Sequence, residues 1–291
     1  MTSPARSSAH PLFELHSRRF QANCYVYPVL SRRSRGISIG VNLNLDRRCT
    51  FRCVYCQVDR DVAVESQPSD VDRLAGELDQ AIALVTSGQF FEGPAFRNTP
   101  KSLRRLNDIA LSGDGEPTTS ADFPRAVATC VEARRRHGLD DVRLVLITNA
   151  SRLDDEAVGR AVDVLVANHG EIWAKLDAGT EDYYRRVNRS GVPFGQILEN
   201  LTAAARRWPV IIQTLFMQLD GQPPGDDELA AYAEQLRRLV AVGGRIASVQ
   251  VYTVARRPAE PWVTPLADDE LDAIGDRLRR ETGLVVETFH A

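Results

Sequence analysis

The chain has 291 residues, 43% of them hydrophobic and 26% charged, with a net charge of −3. These proportions are ordinary for a globular protein, give enough length to bury a full core, and argue against a molecule whose whole surface binds nucleic acid. No apolar run approaches the roughly 18 residues of a membrane span, and the N-terminus lacks the apolar core of a secretory signal, so the cytoplasm is the expected compartment. Pro4, Pro11 and Glu14 also speak against an organellar transit peptide. Charge is uneven along the chain. Residues 1–56 hold nine arginines (6, 18, 19, 32, 33, 35, 47, 48 and 52) against Glu14 and Asp46, a local excess of seven positive charges. That segment reads either as a solvated basic surface or as an attractor for an anionic substrate, partner or cluster.

In chain order, residues 37–45 (ISIGVNLNL) alternate as a strand and lead into a cysteine-rich loop. Residues 71–85 carry Leu74, Leu78, Ile82 and Val85 at helical spacing. Residues 88–107, with Pro94 and Pro100, form the longest irregular stretch and read as a lid or substrate loop. A short strand follows at 109–112, then a helix at 122–136 that Gly138 stops. Strands are predicted at 142–147, 162–166, 172–176, 210–216 and 246–251, and a last short one at 284–286. Helices are predicted at 194–206, 227–240 and 271–279. Strands alternating with helices of ten or more residues imply parallel βαβ units with right-handed crossovers. About six such units predict an α/β fold, a partial (β/α)6 TIM-like barrel with the parallel sheet inside and the helices outside. Functional residues of such barrels sit on the loops after the strands. No linker or repeat is visible, so residues 1–291 read as one domain: a core at 36–258, a basic N-terminal extension at 1–35 and a C-terminal helix and strand at 259–291.

Three of the five cysteines, Cys49, Cys53 and Cys56, fall within eight residues as C-x₃-C-x₂-C. On a helix they would share one face, but Thr50 and Val54 are β-branched, Phe51 and Tyr55 are aromatic, and no amphipathic pattern follows. An odd cysteine count in a chain without a secretory signal argues against a disulfide framework. Three thiolates on one short loop fit three corners of a cubane iron–sulfur cluster, with the fourth iron left open. Zinc is the rival, with Cys24 or a histidine as fourth ligand. Cys24 and Cys130 otherwise read as buried thiols.

Further motifs fall at strand ends. Gly113-Asp114-Gly115-Glu116-Pro117 is a turn whose glycines permit close backbone approach to a ligand and whose Glu116 accepts from an ammonium group. Thr148 and Asn149 end a strand, either to hold a ribose or to start a turn. Trp173, Lys175 and Asp177 alternate onto one strand face. If that face points inward, a lysine and a carboxylate meet in the interior, which makes the pair catalytic candidates; the other reading is a surface ion pair. Gln213, Thr214, Gln250 and Tyr252 are polar residues in apolar strands, placed either in the core or around a pocket.

Together CTFRCVYCQ, LSGDGEPTTSADF, LITNAS, KLDAGTEDYYRRVNR and VQVYTVARRP resemble the radical S-adenosylmethionine (radical SAM) superfamily over residues 36–258. Within it they resemble the wybutosine-synthesis enzymes of tRNA modification. The resemblance implies one [4Fe–4S] cluster on Cys49, Cys53 and Cys56, with the amino acid end of SAM on the open iron. It places Tyr55 near the adenine and gives Gly113, Asp114, Gly115, Glu116 and Pro117 the SAM amino group, while Thr148, Asn149, Gln213 and Tyr252 complete the cofactor pocket. It also implies reductive cleavage of SAM to a 5′-deoxyadenosyl radical that takes hydrogen from a substrate, a reductant such as flavodoxin or ferredoxin, and RNA as the favoured substrate. Asp114 departs from the usual second glycine of the "GGEP" motif. Cys24 alone stands where the wybutosine enzymes have second-cluster cysteines, so their pyruvate chemistry is not carried over. The competing reading is a non-catalytic, metal-stabilised scaffold that binds RNA or protein.

Overall fold

The computed structural model describes residues 20–60, 64 and 69–291. Arg6, Arg18 and Arg19 of the basic segment lie outside the described residues, as does the start of the N-terminus. Eight strands form one sheet in the order β1-β2-β3-β4-β5-β6-β8-β10. These are β1 (Val26–Ser31), β2 (Gly36–Val41), β3 (Leu106–Leu111), β4 (Arg143–Thr148), β5 (Gly170–Lys175), β6 (Val210–Leu215), β8 (Ile246–Tyr252) and β10 (Val286–Phe289). Only β1 is antiparallel to its neighbour, and every other pair is parallel. A separate antiparallel pair, β7 (Gln218–Leu219) and β9 (Val263–Thr264), follows β6.

The helices are α1 (Val71–Thr86), α2 (Phe123–Arg136), α3 (Glu156–Ala167), α4 (Glu181–Asn188), α5 (Phe194–Arg207), α6 (Asp226–Ala241) and α7 (Asp268–Thr282). Six strand–helix units therefore run from β2 to α7 before β10 ends the sheet, as the alternation predicts. The sheet is a curled half-barrel. Its two edges approach where Arg35, in the β1–β2 turn, pairs with Glu287 of β10 at 3.6 Å, and where Arg32 donates to the His290 carbonyl. Among the described residues no helix is long and apolar enough to cross a membrane.

Four local readings differ from this fold. Residues 162–166, read as a strand, lie inside α3. Val158, Ala161, Val162 and Leu165 repeat at helical spacing and are buried, and Asp155 caps the helix by accepting from the Ala157 and Val158 amides. The last strand lies at 286–289 rather than 284–286. Cys24 is exposed rather than buried, with its amide on Glu77, whereas Cys130 is buried in α2. Residues 88–107 enter β3 at its N-terminal end, opposite the cysteine loop, and Phe90 and Phe91 are buried there. They are a packed connection, not a lid over the strand ends. The β1 strand and α4 had no counterpart in the sequence reading.

The α3 assignment has a direct test. A strand over 162–166 would bury Val164 and expose Leu165, but Leu165 is 0% and Val164 44% exposed. Leu165→Ala should cost about 2–5 kcal/mol in urea unfolding. Val164→Ala should stay within about 0.5 kcal/mol of the parent.

Candidate active site

The three cysteines sit on a turn-rich, non-helical segment after β2. Two side chains plug it into the core, Phe51 at 3% and Val54 at 1% exposure. Its backbone is sewn to the end of α4. Arg52 N–H donates to the Asn188 carbonyl and Val54 N–H to the Val187 carbonyl, each at 2.9 Å. The Phe51 ring meets Tyr184 edge-on at 5.6 Å, and Ser190 Oγ donates to the Thr50 carbonyl at 2.9 Å. So α4, a short helix of only eight residues, is what holds the loop in place.

Cys49, Cys53 and Cys56 line one cavity of about 280 Å³ at the C-terminal ends of the strands. Each sulfur has a nitrogen donor. Phe51 N–H reaches Cys49 Sγ at 3.4 Å and Asn149 Nδ2 at 3.6 Å; Asn188 Nδ2 reaches Cys53 Sγ and Arg60 Nη2 reaches Cys56 Sγ, both at 3.5 Å. Burial, with Glu116 nearby, raises the Cys49 thiol to about 11; burial, with Asp177 nearby, raises Cys53 to about 12. A bound metal cation reverses that balance and deprotonates a ligating thiol. The donor set fits a cluster: three thiols around one cavity, a nitrogen donor at each, and neither Cys24 nor Cys130 among the lining residues. Among the described residues no three His, Cys, Asp or Glu side chains converge on a single ion. Arg47 and Arg48 of the basic segment make their contacts away from the sulfurs. Arg48 pairs outward with Asp46 at 3.3 Å and Arg47 donates to the Asp59 carbonyl at 3.0 Å, while Arg52 is exposed beside Cys53 and Cys56. Arg60 reaches a sulfur instead.

The turn after β3 abuts the cysteine loop. A Cβ at Gly113 would strike the Asn42 side chain, and one at Gly115 would strike the Arg48 carbonyl oxygen. Contact between the two loops is by itself enough to require both glycines. Asp114 also faces the protein: its carboxylate accepts from Asn42 Nδ2 at 2.8 Å and its amide donates to Asn42 Oδ1 at 3.1 Å. Pro117 is buried at the start of a single 3-10 turn. Glu116 is 2% exposed and accepts four hydrogen bonds. Oε1 accepts from Thr118 N–H (3.2 Å), Thr118 Oγ1 (2.6 Å) and Thr148 Oγ1 (2.7 Å), and Oε2 from Asn149 N–H (2.7 Å). Burial raises its pKa even against these donors. Thr148 and Asn149 are thus committed to the protein, Asn149 Nδ2 also donating to Thr50 Oγ1 at 2.8 Å.

On the other side, β5 and the residues just after it bring Lys175 and Asp177 inward, the first of the two readings of that strand face. Lys175 Nζ lies 3.2 Å from Asp177 Oδ1 and 2.9 Å from Tyr252 Oη. Asp177, with a side chain 0% exposed, also accepts from the Tyr55 hydroxyl, Asn188 Nδ2 (3.0 Å) and Leu215 N–H (3.0 Å). Burial alone would lower the Lys175 pKa, but the charges of Asp177 and Tyr252 override it and hold the ammonium above its usual range. Burial and Asp177 together raise Tyr55. Gln213 lines the cavity, donates to Gln250 Oε1 at 2.8 Å, and leaves its own Oε1 buried without a partner. Thr214 belongs to the core instead, donating to the Leu176 carbonyl at 2.8 Å.

Of the expected site residues, the three cysteines, Tyr55, Gly113, Gly115, Glu116, Thr148, Asn149, Lys175, Gln213 and Tyr252 line this one cavity. Asp177 stands directly behind it, while Asp114 and Pro117 turn away. Asn188, Arg60, Arg32 and Arg33 escaped sequence reading. For Asn188 the only available signal was its place in the mostly polar stretch TEDYYRRVNR; the others were arginines in an arginine-rich chain.

The radical SAM superfamily profile matches residues 43–234. The chain is 24% identical over 251 residues to UPF0026 protein MJ1312 of Methanocaldococcus jannaschii, covering 82% of this chain and 65% of that one. It spans 32% to 65% of the length of the curated relatives it matches. Among solved structures it superposes on TYW1 with a lysine–pyruvate adduct bound (TM-score 0.55, 15% identity, 89% of this chain and 85% of that one). It also superposes on Streptococcus suis SuiB bound to S-adenosylmethionine (TM-score 0.52, 11% identity, 89% and 49%). At such identities these structures establish the shared fold alone. The profile match covers well over half of the chain and takes in the cysteine loop, the Glu116 turn and the Lys175–Asp177 strand: this protein belongs to the radical SAM superfamily.

Proposed function

We propose that this chain is a radical SAM enzyme in which Cys49, Cys53 and Cys56 hold one [4Fe–4S] cluster and leave one iron to the amino and carboxylate groups of SAM. The observation that carries this reading is the meeting of three nitrogen-bonded thiols and Glu116 around a single cavity. When bound, the cluster and SAM supply reductive cleavage of the sulfonium carbon–sulfur bond to methionine and a 5′-deoxyadenosyl radical, which takes hydrogen from a substrate. A small acidic electron carrier of the flavodoxin or ferredoxin class would supply the electron.

The chain's own residues have distinct tasks in this reading. The N–H donors on the three sulfurs stabilise negative charge there, and hydrogen bonds to sulfur are one of the levers that set a cluster's potential. Oε1 of Glu116 is filled by three donors, and Oε2, with one, keeps capacity for the SAM ammonium. Thr148 and Asn149 brace that carboxylate and the cysteine loop instead of offering free groups to a ribose. The Tyr55 ring forms the adenine wall, its hydroxyl fixed on Asp177. Lys175 stays an ammonium and so is not assigned an amine role of the kind seen in the lysine–pyruvate adduct of TYW1. It acts as a fixed positive pole facing the cavity. The competing scaffold reading requires no SAM turnover and salt-dependent retention of RNA.

Anaerobic reconstitution with iron and sulfide should give a brown protein with about four iron atoms per chain. With SAM and dithionite it should form 5′-deoxyadenosine. Cys53→Ala should lose both the chromophore and at least about 99% of the cleavage, because two thiolates do not retain the cluster. Full cleavage by that variant, or a stable zinc protein inert toward SAM, would reject the assignment.

Lys101 and Lys175 are the only lysines, which makes amine labelling unusually clean. At about pH 8 an amine-reactive reagent should label exposed Lys101 and spare Lys175. Asp177→Asn removes the charge that favours the ammonium, leaving burial to lower the pKa, so Lys175 labelling should rise about tenfold or more relative to Lys101. Peptide mapping reads the ratio.

A further inference from the structure

The β1–β2 turn, at the edge where the sheet approaches closure, directs two consecutive arginines into the barrel. Arg32 and Arg33 both line the cavity. The Arg33 guanidinium lies 4.9 Å from the Tyr252 ring centroid and 5.7 Å from that of Trp173. Trp173 is 2% exposed and packs with Ala110 and Val145 inside the barrel. Two aromatic faces fix the guanidinium without neutralising it, and its N–H edge stays available. Among the described residues neither arginine of this pair has a carboxylate partner; Arg32 donates only to the His290 carbonyl.

None of the described acids around them forms an ion pair with either arginine. Asp177 balances Lys175, and Glu116 is held by its own turn. Glu171 pairs with Arg143 at 3.3 Å and accepts from Trp173 Nε1 at 2.9 Å. Asp108 lines a small pocket with Arg33 and keeps one oxygen buried without a hydrogen bond, but its other oxygen accepts from Ser38, burial pushes it toward its neutral form, and it forms no ion pair with either arginine. Two partly buried positive charges therefore stand in the barrel without an ion-pair partner among the described residues, and such charges persist only when paired or used. Burial and the charge of Arg33 lower the Arg32 pKa to about 10, a cost that an anion between them would remove.

We propose that Arg32 and Arg33 bind an oxyanion, a carboxylate or phosphate, carried by the substrate in the floor of the cavity. The planar guanidinium fork suits either group. Gln213 adds the complementary half: it lines the same cavity, and its buried Oε1 has no partner among the described residues and could accept from an N–H or O–H on the ligand. The pair is distinct from the SAM wall. From Cys53 the contacts run through Asn188, Asp177, Lys175 and Tyr252 before reaching Arg33. The proposal rests on the radical SAM reading of this cavity for the word substrate, but the anion site itself does not require turnover.

Calorimetric titration of the reconstituted, SAM-loaded protein with inorganic phosphate, and in a separate arm with acetate, tests it. Saturable binding is expected in at least one arm, and the arm that saturates more tightly names the oxyanion. Arg33→Met should weaken that binding about tenfold or more, a loss of roughly 1.4 kcal/mol. Arg33→Lys, which keeps the charge but loses the fork and the stacking, should fall between. Arg32→Met serves as an independent second variant, and cluster absorbance reports that each variant is folded. No saturable binding in either arm, or equal affinity in Arg33→Met and the parent, would overturn the proposal. So would a matching loss of SAM affinity, because the arginines would then be holding the SAM carboxylate. Absence of SAM cleavage in the parent would reject the radical SAM reading instead and leave the anion result standing.

Discussion

The carboxylate of Asp177 is the interaction on which the site depends. It is fully buried and accepts from four donors on four different parts of the chain: Lys175 on β5, Tyr55 on the cysteine loop, Asn188 at the end of α4 and the Leu215 amide on β6. A buried charge is costly unless it is paired and hydrogen-bonded, and removing one partner of such a pair costs about 3–5 kcal/mol. Because all four donors must be present together, the position of the cysteine loop is tied to that of the strand ends. Asn188 carries the constraint to the cysteines, since the same amide nitrogen that bonds Asp177 also reaches the sulfur of Cys53.

The two walls of the cavity are built differently. On the Glu116 side, backbone meets backbone: Gly113 and Gly115 let the second loop approach Asn42 and Arg48 of the first, and polar side chains are consumed inside the protein. That wall is rigid and presents few free groups. On the Lys175 side, long side chains from the β1–β2 turn, β5, β6 and β8 reach into the cavity and keep free donors and an acceptor. A fixed wall suits a cofactor whose chemistry is invariant. A wall of projecting side chains suits the variable partner, and this asymmetry agrees with placing SAM at the first and substrate at the second.

Much of the fold was legible because its signals are local and periodic. The apolar spacing of α1, α5 and α6 and the strand–helix alternation gave the barrel, and the alternation of Trp173, Lys175 and Asp177 gave the inward ion pair. Residues 162–166 misled because VDVLV satisfies both periods; the Asp155 cap and the buried Val158 and Ala161 decide it, and they lie outside that window. Helix α4 was invisible because its eight residues are mostly polar and its purpose is a contact with a loop more than a hundred residues earlier. Asn188, Arg32 and Arg33 share that difficulty, each mattering through a neighbour distant in sequence. Arg60 reaches Cys56 only four residues away, but nothing in the local pattern separates it from the many arginines that face solvent.

The central claim is that three protein thiolates hold a cluster with one iron open to SAM. Electron paramagnetic resonance of the reconstituted, dithionite-reduced protein with and without SAM addresses that claim most directly. The account predicts a [4Fe–4S]⁺ signal whose g-values shift when SAM is added, because a ligand has joined one iron of the cluster itself. An iron–sulfur signal left unchanged by saturating SAM, or no such signal in a protein that carries zinc, would contradict it.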